Sequence, residues 1–134
     1  MNKLKIGIPR ALLYYRYGTL WKTFFRNLGQ EVVISSPSNK EIVKKGTSLA
    51  VDENCLPTKI FLGHVDYLSD KTDCVFVPRV ASIYKKESVC IKLWGISDMT
   101  RNVFRDITIL DCNIDVHEGI SEKKASYSFV HPIV

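Results

Sequence analysis

Leu4-Lys5-Ile6-Gly7-Ile8-Pro9, then apolar residues at Tyr17, Leu20, Trp21, Phe24, Phe25 and Leu28, then Glu31-Val32-Val33-Ile34-Ser35: this opening stretch decides the fold. The first run reads as a short strand stopped by Pro9, whose missing N–H cannot extend a central ladder. Apolar positions recurring at steps of three and four, with Arg16, Lys22 and Arg26 off the stripe, predict an amphipathic helix. Gly29 suits the left-handed turn that ends such a helix, and the run from Glu31 is a second strand.

Outward from there the alternation continues. Ser38 is placed to cap a helix over Asn39–Lys45, with Glu41 completing a capping box and Gly46 as its stop. Ser48-Leu49-Ala50-Val51 reads as a weak third strand. Pro57 fits the first turn of a helix whose apolar side carries Ile60, Phe61, His64, Val65 and Leu68. Cys74-Val75-Phe76-Val77 is a fourth strand stopped by Pro78, and residues 79–96 form a long connection without periodicity. Ser97 or Asp98 opens a helix through Arg105, and Ile107–Leu110 gives a fifth strand. Strands alternating with helices predict a three-layer α/β domain over residues 1–112, Rossmann-like or flavodoxin-like, with a mainly parallel sheet of about five strands. The tail, 113–134, changes character: polar over 118–124, apolar over 127–134. It reads as the start of a further domain or as an edge strand.

Composition narrows the function. The chain has 134 residues, 46% apolar and 25% charged, the balance of a globular protein and not of a disordered one. No apolar run approaches the ~20 residues of a membrane span, and Met1–Ile6 lacks the apolar core of a signal peptide. A cytoplasmic protein with no membrane partner is expected. The net charge of +5 is uneven: residues 1–45 hold nine Lys/Arg and two Glu, whereas 46–134 hold ten basic and twelve acidic groups. Such asymmetry can mark a nucleic-acid or anion-binding face. The basic residues are dispersed and lack aromatic companions of the kind that read bases, so no nucleic-acid partner is expected.

The four cysteines are Cys55, Cys74, Cys90 and Cys112, without a C-x-x-C pair. This argues against a zinc ribbon, and a cytoplasmic setting argues against disulfides. In an open parallel sheet ligands collect at the carboxyl ends of the strands, and Arg10, Cys55 and Arg79 are all predicted on that rim. Cys55 sits at a helix start, where thiolate is favoured, with Asp52 and Glu53 opposing. Cys90 lies in the long connection, within reach of the same rim, and Cys112 closes the fifth strand and could face it too. Cys74 reads as a buried thiol. Thiolates meeting at one rim suit a soft metal or an iron–sulfur cluster. His64 falls on an apolar stripe and reads as a satisfied core residue, with support of the site as the alternative. No Gly-rich phosphate loop or Ser/His/Asp order is present.

Several blocks in succession resemble one known family. These are Lys5–Tyr15, Leu20–Phe25, Pro37–Lys40, Val51–Lys59, Gly63–Val65, Phe76–Arg79 and Lys86–Cys90. Over roughly residues 4–111 the chain resembles the acyl-CoA dehydratase activase-related proteins, of DUF2229 type. These are related to the activators and iron–sulfur components of 2-hydroxyacyl-CoA dehydratases. The resemblance implies an iron–sulfur-associated redox role, with Cys55 in Asp-Glu-Asn-Cys-Leu-Pro and Cys90 in Ser-Val-Cys-Ile-Lys as cluster ligands. Arg10 and Arg79 would then offset the negative charge of the cluster or of an acyl-CoA partner. It implies a dehydratase or activator subunit, or further domains of a longer parent, as partner, and leaves room for a homo-oligomer. Ile91 stands where the family commonly has proline. Two cysteines do not complete a four-iron cluster, so independent enzymatic activity is not expected. The competing reading is a non-catalytic α/β binding module with metal-free cysteines.

Overall fold

A computed structural model describes residues 3–82, 89–116 and 119–121. The elements run β1 (Lys5–Ile8), α1 (Tyr14–Asn27), β2 (Glu31–Ile34), α2 (Lys40–Leu49), α3 (Leu56–Ser69), β3 (Cys74–Ser82), α4 (Ile91–Trp94), α5 (Ile96–Val103) and β4 (Ile109–Asp115). The sheet is four-stranded in the order β2-β1-β3-β4, and every neighbouring pair is parallel. The α/β class and the parallel sheet are as the sequence predicts. None of the described helices is long and apolar enough to cross a membrane.

Each face of the sheet has its own core. On one side α1 lays Tyr17, Trp21 and Phe25 over Ile6, Ile8, Phe76 and Val80. Trp21 and Phe25 both meet the Phe76 ring edge-on, with centroids 5.0 and 5.1 Å away, the arrangement that aromatic quadrupoles prefer. Leu20, counted on the apolar stripe from sequence, is instead 55% exposed. The buried stripe is the narrow row of Tyr17, Trp21 and Phe25 at four-residue steps, and Leu20 falls on its flank. On the other side α3 and α5 cover Val75 and Val77 with Phe61, Val65, Leu68 and Ile96.

Around α2, three expectations change. The third predicted strand, Ser48–Val51, does not form: α2 runs through Gly46 to Leu49, so the sheet has four strands. Gly46 does not stop the helix; it is buried where α2 lies against the Lys59 carbonyl of α3. The cap of α2 is Asn39, whose side chain accepts the Ile42 N–H at 2.9 Å, because the Ser38 hydroxyl is engaged with His64.

Pro78 does not stop β3, which continues to Ser82. The Val75 N–H donates to Thr108 on the β4 side, and alternate residues of a strand point their amides the same way. Pro78 therefore turns its missing N–H toward β1, which has already ended at Ile8, and no ladder bond is forfeited. The last strand is Ile109–Asp115, with Cys112 opposite Pro78 in the register. Beyond residue 115 the expected tail lies mostly outside the described residues.

Candidate functional site

The strands end at unequal heights. Ile6 pairs with Cys74 and Gly7 with Val75, so Ile8 stands level with Phe76 while β3 continues six residues further, to Ser82. At about 3.3 Å per residue that overhang is roughly 20 Å. The chain leaves β1 toward β2 on one side and reaches β3 and β4 on the other, so the crevice above β1 is the topological switch point where ligands of such folds bind.

The turn after β1 lies at the base of this crevice. Leu12 has φ +53°, a left-handed conformation costing a non-glycine residue about 1–2 kcal/mol. Strain of this kind persists where surrounding structure over-determines the backbone. Tyr14 and Tyr15 donate their N–H groups to the carbonyls of Ala11 and Leu12, at 3.2 and 3.4 Å. An apolar gap beneath the turn, among Leu12, Trp21, Phe61 and Phe76, measures only ≈ 10 Å³, so side chains fill it.

His64 holds the rim together. Its ring is fully buried, with Nδ1 2.7 Å from Ser35 Oγ and Nε2 2.8 Å from Ser38 Oγ. Ser35 Oγ also accepts the Arg10 N–H at 2.8 Å. One imidazole thus joins the end of β1, the end of β2 and the approach to α2. Burial, with a smaller contribution from the Arg10 charge, lowers its pKa to about 4. His64 is therefore neutral at physiological pH: a hydrogen-bond bridge, poorly suited to gaining a proton as a general base. Sequence reasoning placed it in the core but missed both serine partners, since Ser38 looks like a helix cap.

The cysteines divide into two classes. Cys74 and Cys112 are buried in the core cluster, and burial followed by a neighbouring aspartate pushes their thiols up, to about 11 and about 12. Cys112 does not face the rim; it sits inside β4. Cys55 and Cys90 are exposed, immediately before α3 and α4 respectively. A hydrogen bond with the Thr58 hydroxyl, 3.1 Å away, lowers the Cys55 pKa, and the Lys92 charge adds to this. Asn54 links the two surroundings. Its side chain is buried, accepts from Lys92 Nζ at 3.0 Å and donates to Met99 Sδ at 3.3 Å. Asn54 precedes Cys55 and Lys92 lies two residues beyond Cys90, so α4 is tied beside the start of α3. Thiol labelling of the folded protein should therefore modify Cys55 and Cys90 quickly, with Cys74 and Cys112 reacting only after denaturation. Four equally fast thiols in peptide mass mapping would contradict this packing.

The two arginines of the rim occupy separate pockets. Arg10 lines one of ≈ 200 Å³ with Tyr15, Ser38 and Pro57. Arg79 lines another of ≈ 210 Å³ with Trp94 and Asp98, its guanidinium 5.7 Å from the Trp94 ring centroid. In each arginine Nε is buried without a hydrogen-bond acceptor among the described residues. Among the described residues no group of three His, Cys, Asp or Glu side chains could hold a metal ion.

Residues 5–132 match the family described as CoA enzyme activase uncharacterised domain, DUF2229. The chain belongs to that family. No curated protein and no solved structure matches it. The DUF2229 assignment associates this domain with CoA enzyme activases and agrees with the resemblance carried by the sequence blocks.

Proposed function

We propose that this domain supplies Cys55 and Cys90 as two thiolate ligands of an iron–sulfur cluster in a redox protein that works with CoA enzymes. The observation that carries the reading is the division of the four cysteines into two exposed, each directly before a helix, and two buried with raised pKa. Thiolates, not thiols, bind iron. The donor set fits the group only in part: clusters are normally held by four cysteines, and the described residues offer no third ligand beside these two. The remaining ligands belong to a dehydratase or activator subunit, or to a further domain of a longer parent.

The surroundings support docking at that place. Leu56, directly after Cys55, is 57% exposed, and Ile91, directly after Cys90, is 70% exposed. Trp94 is also exposed nearby. Apolar side chains flanking both thiols suit a protein surface that closes over them and excludes water. When bound, such a cluster supplies one-electron transfer. The chain's own residues hold it: Thr58 and Lys92 favour the Cys55 thiolate, while Asn54 keeps α4 beside α3.

Anaerobic reconstitution with iron, sulfide and an excess of a small thiol tests this. Wild type is expected to retain iron and acid-labile sulfide with an air-sensitive absorption, and Cys55→Ser and Cys90→Ser to lose most of both. Cys112→Ser should behave as wild type. Absence of iron from the wild type and from any longer parent would overturn the reading and leave a binding module with metal-free cysteines.

A further inference from the structure

The Arg10 pocket has the makings of a binding site that does not depend on the cysteines. Its lining is Arg10, Ala11, Leu12, Tyr15, Ser38, Pro57 and Ile60. None of these is acidic, and Arg10 forms no ion pair among the described residues, where the salt bridges are those of Lys71 and Arg101. Its Nε is buried without an acceptor among the described residues. A buried donor left unpaired is costly, and the described residues alone do not satisfy the Arg10 guanidinium. The hydrogen bonds of the turn use the amides of Tyr14, Tyr15, Arg16 and Tyr17 as donors, and among the described residues none uses those of Ala11 or Leu12.

The pocket is also held in shape. Arg10 N–H, Ser35 Oγ, the His64 ring and Ser38 Oγ form consecutive hydrogen bonds of 2.8, 2.7 and 2.8 Å. They fix the backbone at Arg10 relative to the Ser38 hydroxyl on the far wall. Donors ordered before the ligand arrives lose little entropy when it binds. Because His64 is neutral, the pocket's charge comes from the Arg10 guanidinium.

We infer that this pocket binds the terminal phosphoryl group of a phosphate monoester. A guanidinium is the side chain best matched to phosphate oxygens. With the His64 proton on Nε2, the Ser38 hydroxyl accepts from the ring and keeps its own proton for a ligand. With the turn amides beside it, donors come from more than one direction, which suits a tetrahedral group over a planar carboxylate. The volume of ≈ 200 Å³ is below the ~300 Å³ lower end of pockets that engulf small molecules. It admits a phosphoryl group with a few waters, and the remainder of the ligand lies outside it.

The test is titration of the protein with inorganic phosphate, methyl phosphate and dimethyl phosphate at fixed ionic strength. Amide chemical shifts and the thermal midpoint are followed together. Phosphate and methyl phosphate should bind saturably, shift the Ala11 and Leu12 amides and raise the midpoint; dimethyl phosphate, a diester, should do neither. Arg10→Gln is expected to weaken binding roughly tenfold or more, while Arg79→Gln binds as wild type. The wild-type amide shifts decide the matter even where Arg10→Gln folds poorly. No saturable response, equal response to the diester, or shifts confined to residues outside this pocket would overturn the inference. Because no cysteine is involved, loss of iron binding leaves this result unaffected.

Discussion

Gly63→Ala and Gly46→Ala are each expected to cost about 3 kcal/mol or more, lowering the thermal midpoint by roughly 10 °C. The helices α2 and α3 meet at these two residues. A Cβ on Gly63 would overlap the Ile42 carbonyl, and one on Gly46 would overlap the Lys59 carbonyl. Both obstacles are backbone, so no rotamer change relieves the clash and the helices must move apart. Separation would also open the packing around Ile42, which is buried at this crossing. Gly29 is the control: its φ is +80° but a Cβ there meets nothing within 4 Å. Gly29→Ala should therefore cost only the left-handed penalty of about 1–2 kcal/mol. Urea unfolding followed by circular dichroism measures all three. If Gly46→Ala and Gly63→Ala cost no more than Gly29→Ala, the close approach of the helices is wrong.

The second large effect is acid sensitivity centred on His64. Its folded pKa of about 4 lies below the ordinary 6.5, so the unfolded chain takes up the proton first as pH falls. The associated stability is fully present above about pH 6.5, drains away on acidification, and is exhausted below about pH 4, where both states are protonated. The difference between the two values corresponds to roughly 3 kcal/mol. His64→Gln should start less stable, since glutamine cannot reproduce both imidazole hydrogen bonds, yet its stability should vary less over that window. The comparison requires urea midpoints at a series of pH values for both proteins. An identical slope in the variant would assign the acid sensitivity to other groups.

Much of the fold is legible in the sequence because it is written in local periodicity. The succession β1–α1–β2 and the apolar side of α3 depend on spacing within one element, and the structure returns them within a few residues. Pro78 and Gly46 were misread for a different reason. A proline stops a strand only if its absent N–H faces a partner, and a glycine ends a helix only if nothing else requires it there. Both conditions concern a neighbouring element, β1 in one case and α3 in the other, which no local window contains. At the site, the position of Arg10 follows from the end of β1. Cys55 is expected after a third strand that does not form, and lies instead in the α2–α3 connection. The Ser35–His64–Ser38 bridge is not legible in strand ends, because it joins α3 to residues far away in sequence. Nor is the placement of Arg10 and Arg79 in separate pockets, because it depends on how far β3 outruns β1. Cys112 shows the same limit: β4 extends beyond its most apolar residues, carrying that thiol into the core.

The amide of Asn54 has a mechanical meaning. Cys55 directly precedes α3 and Cys90 directly precedes α4, and this side chain bridges the two neighbourhoods, accepting from Lys92 with its oxygen and donating to Met99 with its nitrogen. The ground between the two helix starts is thus braced by an amide strut, while α4 is seated separately on β3.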